Sequence, residues 1–119
     1  MKLAHLCVAA WLACASIAAQ AHAFLDHAEP RVGSQLVAAP AEVKIWFSEP
    51  LEGAFSTVSV TDAGGKRVDR GDAQVDAANK MLLRASLQDL APGMYTVHWR
   101  AVSVDTHVTQ GDFVFHVGP

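Results

Sequence analysis

Met94-Tyr95-Thr96-Val97-His98-Trp99-Arg100-Ala101-Val102-Ser103 decides the fold class. Tyr95, Val97, Trp99 and Ala101 share one parity, and Thr96, His98 and Arg100 share the other. Successive side chains of a strand point to opposite faces, so this alternation predicts a strand with one face in a core. Working outward, residues 42–48 set Val43, Ile45 and Phe47 against Lys44, Trp46 and Ser48. Residues 56–61 place Val58 with Val60, and residues 80–86 read as a further strand with poorer alternation. Residues 112–117 turn Phe113, Phe115 and Val117 inward. Turn formers separate these runs at Ala39-Pro40, Glu49-Pro50, Asp62-Ala63-Gly64-Gly65 and Pro92-Gly93. No amphipathic helix of ordinary length, internal repeat or low-complexity linker interrupts them. Short strands at this spacing predict an all-β sandwich or Greek-key barrel of about seven strands. Leu90-Ala91-Pro92-Gly93-Met94-Tyr95 further predicts a tyrosine corner, the device by which immunoglobulin-like sandwiches tie a strand start to nearby backbone.

The N-terminal end reads differently. Lys2, an apolar run over residues 3–18 and Ala19-Gln20-Ala21 form the charged, apolar and cleavage regions of an export signal. The apolar run is shorter than the roughly 20 residues that a membrane span needs. Cleavage after Ala21 divides the chain into a signal peptide, 1–21, and one soluble domain, 22–119. Both cysteines, Cys7 and Cys14, fall in the signal, which leaves the domain no disulfide, thiolate ligand or cysteine nucleophile. Lipidation at Cys14 is the competing reading, and Trp11 stands where a lipobox wants an aliphatic residue. Net charge is −3 for the whole chain, and loss of Lys2 makes the domain one unit more acidic. That balance argues against nucleic acid and against an anionic membrane surface, both of which need clustered cations.

Cleavage there makes His22 the first residue of the domain. A terminal histidine offers an α-amine and an imidazole, which together chelate one metal ion. Asp105 and His107, in Ser103-Val104-Asp105-Thr106-His107, sit two apart, and extended backbone points such positions the same way. Alone, D-x-H is weak evidence, since loops collect polar residues for turn formation. Joined to His22, the set becomes amine, two imidazoles and a carboxylate, which suits Cu(II), with Zn(II) as runner-up. Glu49, where a strong strand ends, reads either as a solvated carboxylate or as an outer ligand that orients a histidine. His98 and His116 alternate with core positions and read as surface or satisfied residues. His27 has no second ligand beside it. Met81 and Met94 read as packing residues, as does Trp46, which is off the main apolar face of its strand.

These residues together resemble the copper-resistance protein C (CopC) family of periplasmic copper carriers. The likeness rests on His22-Ala23, Pro30, Phe47-Ser48-Glu49, the run from Gly93 to Arg100 and the Asp105-Thr106-His107 loop, in matching order. It implies an immunoglobulin-like Greek-key β-barrel. It also implies one Cu(II) per chain held by His22, through amine and ring, with Asp105 and His107, and with Glu49 at or near the metal. Some members hold Cu(I) in a methionine-rich loop, but residues 61–79 contain no Met, Cys or His, so the resemblance implies a Cu(II)-only member. His98 falls where an acidic residue is usual. The family often acts beside a membrane copper importer, which makes such a transporter the candidate protein partner.

The reading is therefore a periplasmic Cu(II)-binding protein of copper resistance and homeostasis, a carrier rather than an enzyme. A copper-dependent oxidative enzyme shares the terminal-histidine chelate but needs a broad substrate face, for which this domain has little material. A metal-free immunoglobulin-like interaction module would call for an exposed apolar edge, and none is obvious.

Overall fold

The alternating runs build two facing antiparallel-rich sheets in the computed structural model, which describes residues 23–119. The expected signal segment and His22 lie outside the described residues. Eight strands form among those residues: β1 Leu25–Glu29, β2 Gln35–Leu36, β3 Glu42–Phe47, β4 Thr57–Asp62, β5 Gln74–Val75, β6 Leu82–Ser86, β7 Gly93–Val102 and β8 Val108–Val117. One sheet runs β1-β3-β6-β5 and the other β2-β8-β7-β4. The expected all-β sandwich is the fold. Its strand number is one above the estimate because β2 and β5, of two residues each, are too short to carry a period.

The parities read from the sequence are the inward faces. Val43 and Ile45 of β3, Val58 and Val60 of β4, Val97 of β7 and Phe115 of β8 are fully buried between the sheets. Phe47 and Trp99 meet edge-on across the sandwich, with ring centres 5.2 Å apart. The tyrosine corner is present: the Tyr95 hydroxyl donates to the Ala91 carbonyl, and its ring stacks on Phe115 at 5.5 Å.

β1 escapes the sequence reading because only Ala28 of its five residues is buried; it is an edge strand with a bulge between Leu25 and His27. β8 starts at Val108, four residues earlier than its alternation shows. It pairs with β7 along its whole length, from Val102 opposite Val108 to Gly93 opposite Val117. Glycine at 111 is what lets that early part lie flat, since a Cβ there would stand 2.8 Å from the Trp99 ring. Trp46 packs, as expected, but on the outer face, where its ring stacks on His27 at 4.4 Å. Met81 and Met94 correct the packing expectation: both stand exposed. Met94 shares the outward parity of Thr96 and His98, and Met81 lies in the turn before β6.

One buried charge closes the edge of β4. Asp69 is 4% exposed, accepts from the Val60 amide at 2.9 Å and pairs with the Arg67 guanidinium at 2.8 Å. Burial would push its carboxyl up, but the Arg67 contact and the Val60 and Gly71 amides outweigh burial and hold it below the usual carboxylate range.

Candidate metal centre

The β7–β8 hairpin turns through Ser103-Val104-Asp105-Thr106-His107. The Ser103 amide donates to the His107 carbonyl at 3.0 Å, and the Thr106 amide to the Ser103 carbonyl at 2.8 Å. Thr106 sits at φ 71°, a left-handed conformation that a β-branched residue adopts only at a cost of order 1–3 kcal/mol. Such strain persists where the surroundings over-determine it, and here the loop is pinned from inside by a buried hydroxyl. Ser103 is 1% exposed, and its Oγ donates to the Asp105 carboxylate and accepts from the His107 amide at 3.3 Å.

This loop brings Asp105 and His107 together. The His107 Nδ1 lies 3.2 Å from Asp105 Oδ2. The expected reason, extended backbone over the two residues, is corrected: the left-handed turn at Thr106 and the Ser103 hydroxyl aim the two side chains at each other. The Ser103 hydroxyl foremost, with a lesser contribution from the His107 ring, holds the Asp105 carboxyl below the usual range against the opposing effect of burial. Asp105 is therefore a carboxylate at neutral pH. With the Nδ1 proton on that hydrogen bond, the His107 tautomer that carries its lone pair on Nε2 is favoured, which leaves Nε2 open to an ion. Both side chains are about half exposed, so an ion can reach them.

Two further segments converge on the same end of the sandwich. The Val104 amide donates to the Pro50 carbonyl at 3.2 Å, and Leu51 bridges Ser103, which carries half-buried Glu49 alongside the hairpin. The Ser48 amide donates to the Phe24 carbonyl at 2.8 Å, and the Phe24 amide donates to Ser48 Oγ at 2.9 Å. Ala23 is fully buried, and its carbonyl accepts from Thr109 Oγ1 at 2.5 Å. The residue that follows His22 is thus fixed two positions beyond His107 on β8.

Of the expected ligands, the fold joins Asp105 to His107 and sets Glu49 nearby, while His22 lies outside the described residues. Among the described residues, no three of His, Cys, Asp and Glu form a group able to hold a metal ion. Sequence reasoning assigned no role to Ser103 or Thr109. The Ser-x-Asp spacing of Ser103 is a signal for local side-chain bonding that was available; Thr109 carries none. His27, expected to have no second ligand beside it, sets Nδ1 2.7 Å from Asp26 Oδ2, while His98 and His116 lie on the outer sheet face as expected. His98 is held between Asp112, at 2.8 Å, and Thr61, at 2.9 Å, on the outer sheet face.

Comparison with known proteins agrees with this architecture. Residues 25–118 match the family model of the CopC domain. Copper resistance protein C of Pseudomonas syringae pv. tomato is 35% identical over 108 residues, covering 86% of this chain and 85% of that protein. Copper transport protein CutJ of Bacillus subtilis (strain 168) is 34% identical over 99 residues, which span 82% of this chain and only 18% of that longer relative. The solved structure of CopC from Methylosinus trichosporium OB3b superposes with a TM-score of 0.73 at 34% identity, covering 82% of this chain and 95% of that one.

Proposed function

The chain belongs to the CopC family, a copper resistance and transport family, and from that premise we propose that it is a periplasmic Cu(II)-binding protein that sequesters or delivers the ion. One Cu(II) per chain is held by the α-amine and ring of His22, by Asp105 and by His107, with Glu49 as a further ligand or as an outer acceptor. The role is that of a carrier rather than a catalyst, and a membrane copper transporter is the proposed partner.

The observation that carries this reading is the Asp105–His107 pair, 3.2 Å apart and open to solvent, on a strained loop beside the anchored residue 23. Imidazole nitrogen and carboxylate oxygen are donors that suit Cu(II), the ion at the top of the divalent affinity order. Export with cleavage after Ala21 leaves His22 first and supplies the amine. Among the described residues, no helix is long and apolar enough to cross a membrane. The hairpin gathers Asp105 and His107 before the ion arrives, which lowers the ordering cost of binding, and the ion replaces the contact between the two groups when both ligate it.

The test is one added glycine before His22. An amide nitrogen in place of the amine breaks the two-point chelate, so the extended protein should show an altered Cu(II) spin-resonance spectrum and much weaker binding. Mass spectrometry of the exported protein fixes the natural first residue. Equal affinity with and without the glycine would remove His22 from the ligand set.

A further inference from the structure

We propose that Met94 and His116 form a second metal site, for a soft monovalent cation such as Cu(I) or Ag(I), on the outer face of the sheet β2-β8-β7-β4. This goes beyond the Cu(II) reading and does not depend on it. The two residues are direct register partners across β7 and β8. Tyr95 is buried beside Met94, and Phe115 and Val117 are buried on either side of His116, so both side chains of the pair point outward. Directly opposite residues of an antiparallel pair hold their Cβ atoms about 4.5–5.5 Å apart, within reach of one ion between a thioether and an imidazole.

The other described histidines are engaged in a way that His116 is not. His27, His98 and His107 each set Nδ1 against an aspartate, at 2.7, 2.8 and 3.2 Å. His116 has no ion pair or ring hydrogen bond among the described residues, and its outward register neighbour on β2 is Gln35. The next outward row is Thr96 opposite Val114. Met94 is 42% exposed, so an ion can reach it. The nearest acid is Asp62, opposite Tyr95 on β4, and its Oδ1 already accepts from the Gly64 and Lys66 amides at 2.9 Å. Hard divalent ions prefer carboxylate and water oxygens, whereas a thioether selects soft ions such as Cu(I). The methionine-free stretch 61–79 argues only against a soft site within that loop, and this pair lies outside it.

Silver(I) is the probe, titrated as the nitrate in chloride-free, thiol-free buffer and followed by NMR at the methionine methyl and histidine ring signals. The Met94 methyl and the His116 ring should shift together and saturate at one equivalent. Met81, equally exposed but without a histidine opposite, should stay in place until excess is added. Met94→Leu should weaken binding at His116 by about tenfold or more, the order of loss expected when a metal's shell is damaged. His107→Ala should leave it unchanged, which separates this site from the hairpin. First shifts at Met81, or a His116 response indifferent to Met94→Leu, would overturn the proposal.

Discussion

Thr109 holds the carbonyl of Ala23 through its hydroxyl at 2.5 Å, joining the residue after His22 to the strand that leaves His107. This is a long-range bond between the start of the domain and its last strand. In the proposed copper site it acts on ligand position rather than as a ligand. Thr109→Val keeps the shape and removes the donor. Copper(II) affinity should fall by roughly 10- to 100-fold, as for other groups that orient ligands. The Ala23 carbonyl is left buried without this donor, so the metal-free protein should also lose about 1–3 kcal/mol of stability. An unchanged competition titration would show that the start of the domain needs no such anchor.

His107→Ala should cost more Cu(II) affinity than Glu49→Gln. The imidazole is proposed as a direct ligand, whereas Glu49 flanks the hairpin without joining the Asp105–His107 pair into a metal-holding group among the described residues. Paired titrations against a Cu(II) chelator check the ranking. The reverse order would make Glu49 the primary carboxylate.

Copper affinity should decline as pH falls from about 8 to about 5. Nitrogen ligands bind metal only when deprotonated, and their ordinary values lie at about 7.7–8.0 for an α-amine and about 6.5 for histidine. Asp105 is held below the usual carboxylate range, by Ser103 foremost, so it stays charged over this window and adds no slope. An affinity series in weakly coordinating buffer reads the profile. A flat one would exclude the amine and ring set.

Acid should unfold the protein partly through Asp69. Its folded-state value lies below the ordinary one, so folding is favoured by the charged form. That contribution is complete above the unfolded value, about 3.9, and is lost as pH drops through the lower folded value. Asp69→Ala strands the Val60 and Gly71 amides and should cost about 2 kcal/mol at neutral pH. The variant should also show a shallower loss of stability below about pH 4. Urea unfolding at two pH values measures both. An acid limb as steep as the parent's would assign it to other carboxylates.

The sandwich is legible in the sequence, because Val43, Ile45, Val97 and Phe115 declare their inward faces through a period of two that local geometry imposes on any strand. The sequence also marked Asp105 and His107, since residue types that bind metal are visible without coordinates. How those two meet follows from the folded hairpin and not from their spacing. Thr106 takes a left-handed turn and Ser103 lies buried beneath it, and both depend on β7 and β8 pairing to the last residue. The same holds for β1, whose pattern is mostly exposed, and for the Thr109–Ala23 bond. Opposition of Met94 to His116 was likewise set by register. Side-chain alternation is a local property and can be read along the chain, whereas partners distant in sequence are chosen by the packing of the whole domain.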